Sequence, residues 1–350
     1  MYQGKIKLCT FIVEIRNLTL GNTLLFNLFT QNIGGLVEVD SFSPVIDYMR
    51  KTLSACGHDV TVEYGRIHSD GINLLFEDFR DKDFCQAIAN MRREKGMRFG
   101  IIATELMQIE GFPDAGHGIS YTGATDQEVE ITRRLDGFAE IVKSVDFIWS
   151  FLQRTADYHS NSIAISEWFP VGHVMDFPSK FRRSPKNFDI CFFGKSTPHR
   201  KSVIDFLTDS GLQVVALGSG FPPLGFCPMP LLGSVLDQSK IALNLPLLAK
   251  EDVATGTDPR TVSCMRVLEY FQRNLLVVSE NIPFDNPYKD VMETAPIAEL
   301  PDLCNRLLKD GNWDDLGKQK GKKFRETMNA QKMCNPVIER TLTALGLEGK

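Results

Sequence analysis

Two kinds of hydrophobic pattern alternate along this chain. Short and nearly continuous apolar runs, such as 241–245 (IALNL), are typical of strands buried on both faces of a parallel sheet. The next segment has the period of a helix, with one apolar face formed by Cys264, Val267, Leu268 and Phe271. Strand, loop, helix and strand in this order predict an α/β fold with helices on the faces of parallel sheets.

The same alternation fills both halves of the chain. The first half has predicted strands at 24–30, 59–64, 72–76, 99–104 and 146–151. A basic stretch with two prolines (FPSKFRRSPKN) interrupts the pattern from residue 177, and a strand pattern restarts at 189–194. Beyond Pro283 the periodicity is helical. The pattern therefore predicts two α/β halves, joined by a linker and followed by a helical tail.

Composition narrows the class of protein. A chain of 350 residues exceeds the usual size of one hydrophobic core, so two domains are expected. A net charge of −5 gives no support for nucleic-acid binding. The eight cysteines form no CxxC pair, which argues against zinc knuckles and favours a reducing, cytoplasmic location. No apolar run is long enough to span a bilayer, although contact with a membrane surface is left open.

A predicted anion site lies at the start of the second half. Gly194 ends a strand, and Lys195 and Arg200 flank the beginning of the next helix, where N–H groups and the helix dipole favour phosphate. The spacing is neither that of a Walker loop nor GxGxxG. The alternative is a solvated basic loop that also includes Lys201. The loop before Thr261 predicts a second helix start that accepts an anion.

Arg266, Glu269 and Arg273 lie off the apolar stripe of the helix that follows this second loop. In doubly wound sheets ligands bind beyond the carboxyl ends of the strands, where this loop and the first helical turns belong. The alternative is that Arg266 and Glu269 form an i, i+3 ion pair on a solvated face.

These residues resemble a known family. The segments FFGKSTPHRKSVIDFLTDSGLQVVALG, SKIALNLP and RVLEYFQRNLLVVSE are similar to the C-terminal half of GT-B glycosyltransferases, with the CgeB-like branch as the nearest resemblance. The similarity covers about 189–335. It implies that this half holds a nucleotide-sugar, with Glu269 on the ribose hydroxyls, Lys195 and Arg200 near the diphosphate, and Arg266 as a further anion contact.

The resemblance is incomplete at one position. Many retaining members of the family carry two glutamates separated by seven residues in this region, whereas Thr261 stands eight positions before Glu269. The donor sugar and the stereochemical outcome therefore stay open.

Three residues of the first half are candidates for the catalytic base that removes the acceptor proton. Glu105 ends a predicted strand, His117 lies in a long polar loop, and Asp40 follows a pair of glycines. The donor half has no Asp-x-Asp motif, so no metal site is predicted. Positive side chains and helix ends are expected to stabilise the leaving diphosphate instead.

The sequence thus predicts two Rossmann-like domains that face a cleft, as in GT-B enzymes. The predicted parts are an acceptor domain (1–176), a linker (177–188), a nucleotide-sugar domain (189–333) and a C-terminal helix (334–350) that packs back on the first domain.

The predicted activity is cytoplasmic glycosyl transfer in carbohydrate biosynthesis, without cofactor or metal. The donor is a UDP- or GDP-sugar, and the acceptor is a carbohydrate, lipid-linked or protein hydroxyl. The alternatives are a sugar-nucleotide epimerase on the same fold and a non-catalytic ligand-binding module.

Overall fold

The computed structural model of the chain forms two compact units. The first comprises Met1–Met107, Arg133–Phe169 and Cys334–Lys350, and the second comprises Gln108–Thr132 and Pro170–Met333. The structure describes residues 12–14, 23–30, 36–76, 79, 82–104, 137–161, 165–174, 185–221, 229–247, 249, 260–283 and 286–347. Within these ranges, it describes only the backbone of 12–14, 36–42 and 229–231.

Parallel strands form the sheet of the first unit. They are β2 (Leu25–Thr30), β3 (Asp59–Tyr64), β5 (Ile72–Phe76), β6 (Arg98–Ala103), β7 (Phe147–Ser150) and β8 (Ile165–Trp168). Their order across the sheet is β3-β2-β5-β6-β7-β8. A separate parallel pair joins β1 (Ile12–Glu14) to β4 (Arg66–His68). From β2 the chain first adds β3 on one side and then β5 on the other side, so the switch point of this sheet lies between β2 and β5.

Helices cover this sheet because each has one apolar stripe. They are α1 (Leu36–Ala55), α2 (Lys82–Lys95), a helical segment at 137–141 with a 3₁₀ turn at Val142–Ser144, and α3 (Gln153–His159). The buried side of α2 consists of Phe84, Cys85, Ile88 and Met91. It joins one hydrophobic cluster with Phe99 and Ile101 of β6, as the helical period predicts.

The second unit has a five-stranded parallel sheet. Its strands are β9 (Phe188–Phe193), β10 (Val214–Leu217), β11 (Ser239–Asn244), β12 (Leu276–Glu280) and β13 (Glu293–Ala295). They lie in the order β10-β9-β11-β12-β13. The chain goes from β9 to β10 on one side and then crosses to β11 on the other, so the switch point lies between β9 and β11.

The helices of the second unit follow its strands. They are α4 (Pro198–Asp209), α5 (Met229–Asp237), α6 (Cys264–Gln272), α7 (Leu300–Asp310) and α8 (Trp313–Thr327), with a 3₁₀ turn at Ile297–Glu299 before α7. Its hydrophobic cluster joins Val203 and Leu207 of α4 to Ile190, Ile241 and Leu276 of the strands.

The last helix, α9 (Ala330–Ala344), belongs to the first unit from Cys334 onward. The Nε1 group of buried Trp149 donates a hydrogen bond to Thr341 Oγ1 at 2.9 Å. At the surface, Arg340 donates two hydrogen bonds to the carboxylate of Glu167, at 3.1 and 2.8 Å. These contacts fix the C-terminal helix on the first sheet.

The predicted α/β class, with two parallel sheets and C-terminal helices, is confirmed. Helix α1 begins at Leu36, so Pro44 lies inside the helix and not in its first turn, where proline is common. The strands β4 and β13 are not predicted by the sequence analysis, because three-residue strands carry too little periodicity. Helix α5 is not predicted either. No helix in the described part of the chain has the length and hydropathy needed to cross a membrane.

The predicted domain boundaries stay predictions. Most of the predicted linker (177–188) lies outside the described residues. In the part that is described, Lys186 Nζ donates hydrogen bonds to the carbonyls of Asp237 and Ser239, both at 2.9 Å, and Phe188 begins β9. Residues 185–188 therefore pack within the second unit.

Candidate functional site

The candidate site is the carboxyl edge of the second sheet at its switch point. Parallel pairing places Ile190 of β9 beside Ile241 of β11, so both strands end at the same edge. Gly194 follows β9, and Leu245 follows β11. Ligands of doubly wound sheets bind in the crevice that opens at such a point.

Arg200 bridges the two sides of this switch point. It lies in the first turn of α4 and is 4% exposed. Its guanidinium donates hydrogen bonds to the carbonyls of Lys195 (2.9 Å), Pro246 (2.9 Å) and Leu245 (3.1 Å). The predicted diphosphate residue thus has a structural task, because it ties the loop after β9 to the loop after β11.

The N-cap of α4 strengthens this tie. Thr197 Oγ1 accepts a hydrogen bond from the Arg200 N–H at 3.2 Å and donates one to the Leu247 carbonyl at 3.0 Å. A hydroxyl at the N-cap satisfies one of the helix's unpaired N–H groups. The beginning of α4 is therefore held at the switch point, while the side chain of Lys195 is exposed beside it.

Arg266 lies at the same edge, in the first turn of α6. It is 8% exposed, and its Nη1 donates a hydrogen bond to the Leu245 carbonyl at 3.1 Å. Its guanidinium carbon lies 4.8 Å from the centroid of the Phe192 ring. Burial lowers the pKa of Arg266 below the usual range of arginine, because a charge removed from water is disfavoured.

Gly194 makes room for this guanidinium. A Cβ placed on Gly194 would lie 2.8 Å from Arg266 Nη2. The backbone of Gly218 also packs closely against Gly194, since a Cβ on Gly218 would lie 2.3 Å from the Gly194 carbonyl oxygen. Gly218 has a φ of +128°, a region that favours glycine. The predicted glycine therefore lets backbone and cation approach closely.

Glu269 lies one turn further along α6. Its carboxylate accepts hydrogen bonds from Arg273 at 3.1 Å, and Arg273 in turn pairs with Asp237 at 2.6 Å. The structure thus pairs Glu269 with Arg273 at i, i+4. The alternative, an i, i+3 ion pair between Arg266 and Glu269, does not form. Because 266, 269 and 273 fall within one side of α6, Glu269 shares the face of Arg266.

The buried negative charge at this edge is not predicted by the sequence analysis. Glu280 ends β12 and is 2% exposed. Its Oε2 lies 2.9 Å from His199 Nε2, and its Oε1 accepts a hydrogen bond from Arg260 Nη1 at 2.6 Å. The sequence carries a signal for this residue, because Glu280, like Glu105, follows an apolar strand pattern.

The structure leaves the three candidate bases open. Glu105 and His117 lie outside the described residues. Asp40 lies within the backbone of α1, and its side chain is not described. Among the described residues, no three His, Cys, Asp or Glu side chains form a group that could hold a metal ion.

No family model and no curated protein matches this chain. Solved structures do. The chain is 14% identical to the DNA-modifying enzyme β-glucosyltransferase, solved in the presence and absence of its substrate uridine diphosphoglucose. That match covers 92% of this chain and 100% of the other, with a TM-score of 0.55.

Two further structures agree. HepE (Alr3699) of Anabaena, in complex with UDP, is 11% identical over 92% of this chain and 100% of its own, with a TM-score of 0.54. A glycosyltransferase from Rickettsia africae ESF-5 is 10% identical over 94% of this chain and 100% of its own, with a TM-score of 0.52. The chain therefore has the GT-B fold of glycosyltransferases, which confirms the predicted fold, while the CgeB-like subtype stays a prediction.

Proposed function

We propose that this protein is a glycosyltransferase that moves a sugar from a UDP-sugar to an acceptor hydroxyl. The observation that carries the proposal is Arg266, a buried guanidinium at the switch point with one hydrogen bond to the described residues. A guanidinium has five N–H donors. An anion at this edge would therefore find donors that no described residue takes.

The donor diphosphate fits this edge electrostatically. Helices α4 and α6 both begin there, and their N-terminal N–H groups and dipoles favour negative charge. The guanidinium of Arg266 and the exposed side chain of Lys195 add positive charge. Arg200 contributes a further charge while it holds the two loops together.

Glu269 is the proposed partner of the ribose. A carboxylate accepts hydrogen bonds from two neighbouring hydroxyls, and Arg273 orients this carboxylate. Uridine is supported by the compared structures, because one is described with uridine diphosphoglucose and another with UDP. The guanosine alternative has no such support, so the proposal narrows to UDP-sugars.

In the proposed reaction an acceptor oxygen attacks the anomeric carbon of the sugar. The bond between that carbon and the β-phosphate oxygen breaks, UDP leaves with the electron pair, and a base takes the hydroxyl proton. Arg266 stabilises the negative charge that grows on the diphosphate. Glu105, His117 and Asp40 stay the candidates for the base.

The other parts of the proposal rest on the sequence. They are the acceptor domain at 1–176, the donor domain at 189–333 and transfer without a metal. The cations at the carboxyl edge could neutralise the leaving diphosphate by themselves. Activity that persists in EDTA would support this part, and activity that returns only with added Mg²⁺ or Mn²⁺ would contradict it.

Calorimetric titration of the protein with UDP, GDP, CMP and ADP tests the proposal directly. We expect saturable binding of UDP and much weaker binding of the other nucleotides. Absence of UDP binding would overturn the proposal. A UDP-release assay with UDP-glucose and other UDP-sugars then measures turnover, including the slow transfer to water. A changed sugar nucleotide without UDP release would identify an epimerase, and binding without turnover on any acceptor would favour a binding module.

A further inference from the structure

Glu280 carries a buried negative charge beside a proposed anion site. Its side chain is 3% exposed, those of His199 and Arg260 are 5% and 14% exposed, and the contacts are 2.9 and 2.6 Å long. Taking a carboxylate out of water is costly, and a buried ion pair often contributes little net stability. We therefore explain the buried Glu280 by the positions in which it holds His199 and Arg260, and not by a contribution to stability.

Both partners belong to segments that lead into the proposed diphosphate site. His199 lies in the first turn of α4, next to Arg200, which bridges the switch point. Arg260 lies shortly before α6, and Val262 between them is buried with 2% exposure. Arg266 follows in the first turn of α6. Glu280 thus connects the beginnings of two helices that flank the same edge.

Glu280 is poorly suited to contact the donor itself. Both of its carboxylate oxygens are engaged, one by each partner. A second negative charge close to a diphosphate would also repel it. The side chain can therefore act on a nucleotide only through the residues that it holds.

We propose that Glu280 is a positioning residue for the donor diphosphate. It holds Arg260 and His199, and thereby fixes the N-terminal turns of α6 and α4 in the geometry in which Arg266 and the helix N–H groups bind the anion. This inference rests on the proposed function. It adds a residue that touches neither substrate nor reacting atoms and determines donor affinity at a distance.

Asp146 provides a matched control. It is a buried carboxylate of the first unit with 2% side-chain exposure, and it pairs with Arg92 (3.2 Å) and Arg98 (3.1 Å). Glu280→Gln and Asp146→Asn each remove one buried negative charge and keep the shape of the side chain. The decisive measurements are the Kd of UDP by calorimetry, the donor KM and kcat, and the Tm of each variant.

We expect both variants to lower Tm, and only Glu280→Gln to raise the Kd of UDP and the donor KM, by about tenfold, since hydrogen bonds to charged groups are the stronger ones. His199→Gln, which keeps a donor for Glu280, should bind UDP more tightly than His199→Leu. Arg260→Lys should likewise bind more tightly than Arg260→Gln. The more exposed Arg260 also provides a test if Glu280→Gln fails to fold.

Equal UDP affinity in wild type, Glu280→Gln and the two Arg260 variants would overturn the inference and leave the proposed function standing. Equal weakening in Glu280→Gln and Asp146→Asn would reduce Glu280 to a stabilising residue. Absence of UDP binding in the wild type would overturn the proposed function and the inference together.

Discussion

The first unit buries Asp146 before β7, at the amino end of its sheet, whereas the second unit buries Glu280 at the carboxyl end of its own. Each carboxylate pairs with two basic side chains at 2.6 to 3.2 Å. The difference lies in the segments that are held. Asp146 also accepts a hydrogen bond from the Phe99 N–H and so joins β7 to β6.

The comparison separates two uses of the same interaction. At the amino end of a parallel sheet, a buried carboxylate holds scaffold strands and helices together. At the carboxyl end, the same interaction fixes the loops and helix starts where ligands of α/β folds bind. Charge removal should therefore cost stability at one end, and stability together with ligand affinity at the other.

The largest effect on affinity is expected from Arg266→Met. The variant should weaken UDP binding by about 100-fold, since it removes a charge-assisted contact from a dry site. Its Tm should stay unchanged or rise, because an apolar side chain replaces a costly buried charge. Calorimetry and thermal unfolding measure both. Arg93→Met, at an exposed position in α2, is the control. A wild-type Kd in Arg266→Met would remove this residue from the site.

Asp146→Asn should show the opposite behaviour. We expect a loss of about 1–3 kcal/mol in the free energy of unfolding, because Arg92 and Arg98 lose their buried partner while retaining access to water. The Kd of UDP should not change. Urea denaturation with UDP titration checks both statements. A Kd that rises along with the loss of stability would erase the distinction between the two ends.

Glu269→Ala should raise the donor KM by about tenfold through loss of the ribose contact. The variant also removes a partner of Arg273, so Asp237→Asn, which weakens the other ion pair of Arg273, is the matched control. Steady-state kinetics with a UDP-sugar distinguish the two variants. Equal KM values would mean that Glu269 acts only within the ion-pair cluster.

Acidification should produce the smallest effect. Burial lowers the pKa of His58 in the first unit, against a smaller opposing effect of Asp59. Burial also lowers that of His173 in the second, and nearby Arg325 lowers it further. The unfolded chain then binds more protons than the folded one just below pH 6.5, so stability falls as pH decreases through that value and levels off below the folded pKa.

Thermal unfolding between pH 7.5 and 5 checks this prediction. The double variant His58→Gln and His173→Gln should lose less Tm on acidification than the wild type over this range. Parallel curves for the two proteins would show that neither histidine is responsible.

The apolar periodicity of the sequence predicts secondary-structure elements well where those elements are long. The bounds of β3 and β5 agree with the predicted strands, because apolar periodicity is a property of neighbouring residues. It also selected Gly194, Lys195, Arg200 and Arg266, since the carboxyl ends of parallel strands gather at one edge. The strand β13, with three residues, escaped detection.

The partners of the charged side chains depended on the tertiary structure. Glu280 meets His199 across 81 residues of sequence, and it meets Arg260 across 20. Arg200 binds carbonyls of a loop 45 and 46 residues away. No local period encodes such distances, because they are set by the order of strands in the sheet.

The sequence by itself therefore determined two α/β halves and their helical tail, and it predicts the edge at which we propose that an anion binds. Only the tertiary structure decided that Arg200 ties the two loops together, that Arg266 is buried with one hydrogen bond to the described residues, and that Glu280 pairs with His199 and Arg260. The physical reason is that burial follows from the pattern of neighbouring side chains. The choice among charged partners follows from which distant segments the sheet brings within hydrogen-bonding distance.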